Sequence, residues 1–225
     1  MQMSELDHSL EPSLMLTVHH LGVSQSERIV WLCEELGIAY ELKVYDRDPV
    51  TRLAPAAYKA LHPVGTAPII TDGEVVLPES GAIMQYIMGK YGSGQLAPAP
   101  DDPAFADYLF WFHFANASML PRQSGAMGSK PGEEESPRAR FMRERGEKAW
   151  TMVETRLGAV PYFAGQAFSA ADIIWVFCLT TMRAFVPVDL SGRPNILAYL
   201  QRIGERPAYQ RVMAKGDPDM TPMLT

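Results

Sequence analysis

Residues 61–87, LHPVGTAPIITDGEVVLPESGAIMQYI, contain the pattern that decides the fold. Two short apolar runs, 66–70 and 74–77, are separated by a segment with an Asp-Gly pair, which is a strong signal for a tight turn between antiparallel strands. A helical pattern follows, beginning near Glu79 and ending at Tyr91. The stretch therefore predicts two paired strands and a helix that packs against them.

The residues before this stretch follow a strand–helix–strand pattern. LMLTVH (14–19) and AYELKV (39–44) are rich in branched or alternating apolar residues, which is typical of strands. Between them, apolar residues recur at helical spacing, and Gly37 supplies a C-terminal stop. The order β-α-β followed by β-β-α builds a small mixed sheet with helices against it, a thioredoxin-like arrangement.

The second half of the chain shows only helical patterns. A Gly/Pro-rich segment, GSGQLAPAPDDP, separates it from the first half. Helices are expected over 103–127, 137–158, 169–185 and 192–205. The predicted fold class is an α/β thioredoxin-like N-terminal domain plus an all-α C-terminal domain. Its predicted parts are a flexible tail (1–13), the thioredoxin-like domain (14–91), a linker (92–103) and the all-helical domain (104–225).

Composition limits the classes of function. The formal net charge of −6 gives no electrostatic case for nucleic acid. Cys33 and Cys178 both lie in apolar helical patterns, so they are expected to be buried thiols in a reducing compartment and not a disulfide framework. No apolar run is long enough to span a membrane, and the polar N-terminus lacks the features of a signal peptide. A cytoplasmic location without membrane contact is expected, and the acidic run 133–135 is expected to be a solvated loop.

The corner at residues 20–28 carries hydroxyl groups. Ser24 and Glu27 fit the S-x-x-E pattern of a capping box, which would make Ser24 the N-cap of the first helix. A thiolate placed beside this hydroxyl and the helix N-terminus would have a lowered pKa. Ser26 is a weaker candidate for this role. Arg28 is expected to be an ion-pair or capping residue that could assist an anion.

Glu79 and Ser80 stand at the start of the helix that follows the strand pair. A helix N-terminus favours a carboxylate ligand, the Ser80 hydroxyl could add a hydrogen bond, and Glu79 could accept from an ammonium group. The alternative is that both residues simply cap the helix.

Three stretches together carry a family resemblance: SQSERIVWLCEELGIAYEL (24–42), residues 61–87 quoted above, and YFAGQAFSAADIIWV (162–176). The chain resembles the cytosolic glutathione transferases over nearly all of residues 14–215, and most closely a fungal and bacterial branch of them. The resemblance implies glutathione as a co-substrate without a metal, an all-helical domain that binds the second substrate, and a homodimer.

The resemblance also implies roles for individual residues. Glu79 and Ser80 would hold the γ-glutamyl end of glutathione. Ala67, before a cis Pro68, would pair with its cysteinyl backbone, and Ser24 would lie next to the sulfur. Two features depart from the family. The first is the corner, where no tyrosine is present and Cys33 lies too deep to act as a nucleophile. The second is Thr66.

The partner of the glycine carboxylate stays open. Thr66 occupies a position that is often basic in this branch, and it cannot form an ion pair. Lys43, Arg47, Arg52 and His62 are the alternatives. His19 and His20, at the end of the first strand, are expected to pack, although one of them could reach the pocket.

The helical half contributes two predictions. Ser169 and Asp172 form a reciprocal capping arrangement and are expected to be structural. The predicted helix 103–127 carries YLFWFHFANASMLPRQ (108–123), which has more apolar residues than one buried stripe requires, so part of it is expected to line an apolar electrophile pocket. The candidates are Trp111, Phe112, His113, Asn116 and Met119. The alternative for most of the apolar ones is the core or a dimer contact.

The leading functional hypothesis is transfer of glutathione to apolar electrophiles, with Ser24 stabilising the thiolate and no covalent enzyme intermediate. A glutathione-dependent peroxidase and a non-catalytic glutathione-binding module are the alternatives.

Overall fold

A computed structural model describes residues 15–125 and 136–225. The expected flexible tail, 1–13, and the acidic run, 133–135, lie outside the described residues. The first half of the chain contains, in order, β1 (Thr17–Leu21), α1 (Glu27–Leu36), β2 (Glu41–Tyr45), α2 (Ala56–Lys59), β3 (Ile69–Asp72), β4 (Val75–Pro78) and α3 (Ser80–Tyr91).

The four strands form one mixed sheet in the order β2-β1-β3-β4. β1 runs parallel to β2 and antiparallel to β3, and β3 pairs with β4 through the predicted Asp-Gly turn, where Gly73 has a φ of +60°. Glycine adopts this left-handed conformation without steric cost. The thioredoxin-like arrangement predicted from the sequence is confirmed.

Every named element in the described part of the second half is helical. Its elements are α4 (Phe105–Phe114), a π-helical segment (Ala115–Met119), α5 (Leu120–Gly125), α6 (Pro137–Ala159), α7 (Ala170–Leu179), a 3₁₀ turn (Thr181–Ala184), α8 (Pro194–Gly204) and α9 (Pro207–Gly216). None of the described helices combines the length and the hydropathy needed to cross a membrane.

The sequence prediction missed α9, and it gave as single continuous helices two segments that the structure divides. Helix α8 ends before Arg206, whose extended conformation (φ −71°, ψ 124°) is the one that a following proline favours, and Pro207 then opens a new helix. The segment 169–185 is not one helix, because α7 ends at Leu179 and a 3₁₀ turn follows. The long segment 103–127 is divided by its π-helical part, and residues 126–127 lie outside the described residues.

One apolar core runs through both halves. It extends from Val18 in the sheet through Ile29 in α1 to Trp111 and Trp175 in the helical half. Helix α1 packs against both α7 and α9. Glu35 in α1 also accepts hydrogen bonds from Arg206, at 2.7 and 2.8 Å. The shared core and the contacts of α1 hold the corner at residues 20–28 against the helical half of the molecule.

Candidate active site

The sheet register brings three separate segments to one edge. His19 in β1 pairs with Ile69 in β3, and Ile69 pairs with Pro78 in β4. The corner after β1, the Ala67–Pro68 peptide and the start of α3 therefore lie side by side. The Ala67–Pro68 bond is cis, as predicted.

The backbone of the corner is held from two directions. Val23 has a φ of +51°, a left-handed conformation that is unusual for a β-branched residue. Its N–H donates to the Asp217 carboxylate at 2.7 Å. Arg47 donates to the carbonyl oxygens of Gly22 and Val23 at 2.7 and 3.0 Å. Arg47 is thereby engaged in shaping the corner, which leaves Lys43, Arg52 and His62 as the alternatives for the glycine carboxylate.

The capping box predicted for the first helix is wrong. Helix α1 begins at Glu27 with Ser26 at its N-cap position, and no side chain caps it. The Glu27 carboxylate instead accepts a hydrogen bond from Thr181 Oγ1 at 2.5 Å. Tertiary packing against the helical half has drawn Glu27 away from the local motif.

Ser24 belongs to a chain of buried hydrogen bonds. Its Oγ accepts from the Ser26 N–H at 3.2 Å and lies 2.7 Å from Ser26 Oγ. Ser26 Oγ lies 2.9 Å from His20 Nδ1, and His20 Nε2 lies 3.1 Å from Asp217 Oδ2. Ser24 is 6% exposed, whereas Ser26 and His20 have no exposed surface. The buried interior position of Ser26 makes Ser24 the member of this chain nearest to a ligand.

Glu79 and Ser80 are arranged differently from two capping residues. Glu79 has a φ of +74°, its side chain is exposed, and it caps nothing in α3. Ser80 is buried, and its Oγ accepts from Asn116 Nδ2 at 2.8 Å and from Arg28 Nη1 at 3.3 Å. With both acceptor positions of Ser80 used, its hydroxyl proton is available for a ligand.

Arg28 links the first half to the second and is fully buried. Its Nη1 donates to Gln25 Oε1 at 2.6 Å and to Asn116 Oδ1 at 2.9 Å, besides Ser80. Its guanidinium carbon lies 4.9 Å from the centre of the Phe177 ring. None of the ion pairs found in residues 15–125 and 136–225 includes Arg28. Burial lowers the pKa of this guanidinium. The ion pair that the sequence suggested does not form there.

Two further predicted glutathione contacts lie at the rim of this edge. Thr66 is exposed. His62 is half-buried, and its Nδ1 accepts from the Val64 N–H at 3.1 Å. Its Nε2 is the nitrogen left to face a ligand.

The predicted electrophile residues divide into core and surface. Trp111, Phe112 and Met119 are buried in the apolar core, where α4 packs against α7 and Phe112 lies beside Gly81 of α3. All three side chains belong to the core of this structure, and their part in lining a pocket stays a prediction. His113 is exposed, and Asn116 is half-buried with its amide bound to Ser80 and Arg28.

The cysteines and the second capping motif match their predictions. Burial raises the pKa of the Cys33 thiol to about 12 and that of Cys178 to about 11, so neither supplies a thiolate near neutral pH. Ser169 and Asp172 form the reciprocal capping box at the start of α7. Within the described ranges, no three His, Cys, Asp or Glu side chains are grouped to hold a metal ion.

Glu27 makes stability depend on pH. Burial raises the pKa of its carboxyl from 4.5 to about 8, so the folded state binds this proton more tightly than the unfolded chain does. Stability should therefore fall as pH rises from 4.5 to about 8, by roughly 1.4 kcal/mol per unit. The Glu27→Gln variant should lack this loss and be more stable than wild type at about pH 9. Urea unfolding of both proteins from about pH 5 to about pH 9 measures it; parallel curves would contradict it.

Comparison with known proteins agrees with this geometry. Residues 24–88 match the family model "Glutathione S-transferase, N-terminal domain", and residues 126–207 match "Glutathione S-transferase, C-terminal domain". Glutathione S-transferase 3 of Schizosaccharomyces pombe is 32% identical over 92% of this chain and 90% of its own length. The chain belongs to the glutathione S-transferase family. Glutathione S-transferase 3 of Zea mays is 30% identical over 83% of this glutathione transferase and 87% of the maize protein.

Solved structures agree on the fold. The crystal structure of a glutathione S-transferase from Actinobacillus pleuropneumoniae is 36% identical, covers 90% of this chain and 93% of its own, and superposes with a TM-score of 0.82. A glutathione transferase of Phanerochaete chrysosporium, crystallised with oxidized glutathione, is 21% identical, covers 92% and 96% of the two chains, and has a TM-score of 0.72. The latter likeness concerns the fold alone.

Sequence reasoning missed the partners of Ser24. Asp217 follows α9, far along the chain from His20, and no local pattern connects them. The one local signal is Gly216, where a Cβ would lie 3.0 Å from His20 Nε2. A glycine beside an aspartate after a helix is too common to have identified this contact.

Proposed function

We propose that this glutathione transferase ionises the glutathione thiol beside Ser24 and conjugates the thiolate to apolar electrophiles. The observation that supports the proposal is the convergence of Ser24, the cis Ala67–Pro68 peptide and the Glu79–Ser80 pair at one edge of the sheet. The enzyme contributes a lowered thiol pKa and proximity of the two substrates.

In this proposal each end of glutathione meets a matching group. The backbone of Ala67 pairs with the cysteinyl residue. The free N–H groups at the start of α3 and the Ser80 hydroxyl bind the γ-glutamyl carboxylate, and the exposed Glu79 carboxylate accepts from the ammonium group. Thr66 and His62 lie at the glycine end.

The electrophile is proposed to lie beside the corner, against Phe185. This ring is 40% exposed, and its centre is 5.8 Å from the guanidinium carbon of Arg47, which itself binds the corner carbonyls. His113, at the end of α4, is the predicted pocket residue that stays accessible.

The protein is proposed to be a homodimer. It is proposed to act in detoxification in the cytoplasm. The exposed apolar side chains of Phe110 in α4 and of Phe141 and Met142 in α6 support a pairing surface, which light scattering in solution would test. The two buried free thiols suit a reducing compartment.

Ser24→Ala tests the proposal directly. Loss of one hydrogen bond to the thiolate should lower kcat/KM for glutathione and an aryl halide about 10- to 100-fold. The pH profile should shift upward, and KM for glutathione should change little because the tripeptide contacts remain. Steady-state kinetics against pH measures this.

Ser24→Thr is the matched control, because it keeps a hydroxyl and should retain most of the activity. Unchanged conjugation by the alanine variant over the whole pH range would refute the role of Ser24.

A further inference from the structure

The hydrogen-bond chain behind Ser24 has a defined direction when the His20 ring is neutral. The ionised Asp217 carboxylate only accepts hydrogen bonds, so Nε2 of a neutral His20 carries the ring hydrogen and donates it to Asp217. His20 Nδ1 is then an acceptor, and it accepts a hydrogen bond from the Ser26 hydroxyl at 2.9 Å. The carbonyl of Leu21 is a more distant acceptor for Ser26, at 3.3 Å.

This direction fixes the orientation of Ser24. Because the single proton of Ser26 is used toward His20, Ser26 Oγ accepts, from the Leu21 N–H at 3.1 Å and from the Ser24 hydroxyl at 2.7 Å. The proton of Ser24 therefore points inward in the free enzyme. A neutral thiol arriving at Ser24 meets an oxygen lone pair and donates its S–H to it.

We propose that Ser24, Ser26 and His20 form a proton relay that carries the thiol proton of bound glutathione to the buried His20–Asp217 pair. This inference rests on the proposed function and adds the destination of the proton. His20, Ser26 and Asp217 act through Ser24 and are relay residues, whereas Ser24 alone touches the sulfur.

The proton transfer is balanced within the complex. The S–H bond of glutathione and the two serine O–H bonds break. New bonds form from hydrogen to Ser24 Oγ, to Ser26 Oγ and to His20 Nδ1. The products are a thiolate that accepts a hydrogen bond from Ser24 and an imidazolium that donates to Ser26 and Asp217. No proton enters or leaves the complex.

Three charged or titratable groups lie around His20 and Asp217. Asp217 accepts directly from the His20 ring, and the hydrogen bond from His20 together with that from the Val23 N–H outweighs burial and lowers the pKa of this carboxyl. Glu27 lies near Asp217, but burial keeps its carboxyl protonated near neutral pH, so it adds no negative charge beside the ring. Arg47, in the loop after β2, also faces Asp217. Its positive charge disfavours a positively charged ring, and its guanidinium donates hydrogen bonds to the carbonyl oxygens of the corner.

The packing also excludes a hydrolytic use of the same groups. Ser26, His20 and Asp217 have the connectivity of a Ser-His-Asp triad, but Ser26 has no exposed surface and cannot reach an external carbonyl. The hydrogen bond to Ser24 is the route from this buried group to a ligand.

The relay is tested by counting protons. Binding of glutathione is measured by titration calorimetry in two buffers of different ionisation enthalpy near neutral pH, and thiolate is measured by its ultraviolet absorbance. S-methylglutathione, which has no ionisable thiol, supplies the baseline. The relay predicts thiolate formation with almost no proton release above this baseline. Simple hydroxyl stabilisation predicts one proton released for each thiolate.

Variants separate the relay from a structural role. Ser26→Ala and His20→Asn should each form less thiolate, release one proton for each thiolate that does form, and lower kcat about 10-fold with little change in KM for glutathione. His20→Asn keeps an acceptor near the Nδ1 position and is the second variant should Ser26→Ala fold poorly, with the melting temperature of each variant as the check.

The outcomes distinguish this inference from the function beneath it. A wild-type enzyme that conjugates glutathione but releases a full proton for each thiolate overturns the relay and leaves the proposed function intact. Proton counts that are the same in wild type and both variants also overturn it. Absence of glutathione binding or of bound thiolate overturns both.

Discussion

Asp172→Ala is expected to lower the free energy of unfolding by about 3–5 kcal/mol. The carboxylate has no exposed surface and accepts four hydrogen bonds. Its Oδ2 accepts from the Ser169 N–H at 2.9 Å and the Ser169 hydroxyl at 3.2 Å. Its Oδ1 accepts from the Phe163 N–H at 2.9 Å and the Tyr199 hydroxyl at 3.3 Å. Truncation leaves two buried backbone N–H groups without an acceptor.

The loss is large compared with the whole stability of a domain, which is about 5–15 kcal/mol. Asp172 connects the start of α7, the loop before it and α8, so its removal loosens three parts of the helical half together. Urea unfolding monitored by circular dichroism and by tryptophan fluorescence measures the change, because Trp175 lies in the same core.

Ser169→Ala is the matched control for Asp172→Ala. It removes the hydroxyl that caps α7 but leaves the carboxylate and both of its backbone donors, so it should cost only about 1 kcal/mol. Equal losses for the two variants would show that the cap alone matters. A loss below about 1 kcal/mol for Asp172→Ala would contradict the account of the buried carboxylate.

The same sequence pattern has two different outcomes in this chain. Ser24 with Glu27 and Ser169 with Asp172 both match the capping box, yet only the second pair forms it. Both acidic side chains are buried, but Glu27 faces Thr181 from the other half of the molecule and binds there. A motif read over four residues cannot register a competing partner more than a hundred residues away.

Local patterns were sufficient where the environment agreed with them. The Asp-Gly turn, the strands around it and the long helix α6 were predicted to within a few residues, because turn chemistry and helical periodicity are local. Periodicity failed for the aromatic residues of α4. Trp111 contacts Trp175 of α7 and Phe112 lies beside Gly81 of α3, and spacing alone does not reveal how many neighbours cover one helix.

The relay partners of Ser24 could not be predicted for a related reason. His20 and Asp217 meet only because α9 packs on α1, and α9 itself was missed. Helix-start chemistry raised Ser24, Glu79 and Ser80 as separate candidates. The family resemblance joined them into one site, because it records tertiary proximity that the single sequence does not express.

Arg28→Met is expected to lower the free energy of unfolding by about 2–4 kcal/mol. The guanidinium donates to Gln25, Ser80 and Asn116, which belong to the corner, to α3 and to the π-helical segment. Charged donors form the stronger hydrogen bonds, and removing this one leaves the Asn116 and Gln25 carbonyl oxygens without a donor. Methionine carries no charge, so the variant no longer bears the desolvation cost of a buried cation without an ion-pair partner. This gain offsets part of the loss, and the expected cost is therefore below that of Asp172→Ala.

A functional effect should accompany the loss of stability. Ser80, the proposed ligand of the γ-glutamyl carboxylate, keeps only Asn116 to fix its orientation in the Met variant. KM for glutathione should then rise about 10-fold, which corresponds to about 1.4 kcal/mol, while the pH dependence of kcat, governed at Ser24, stays unchanged. Steady-state kinetics with varied glutathione measures both quantities.

Arg28→Lys separates charge from geometry. Lysine keeps the positive charge but has one compact ammonium group, which cannot span acceptors on three elements as a planar guanidinium does. It should recover less than half of the stability lost in the Met variant, and its KM should stay raised. Full recovery by lysine would mean that the charge alone organises this junction. Wild-type stability in the Met variant would mean that the cost of burying the cation cancels all of its hydrogen bonds.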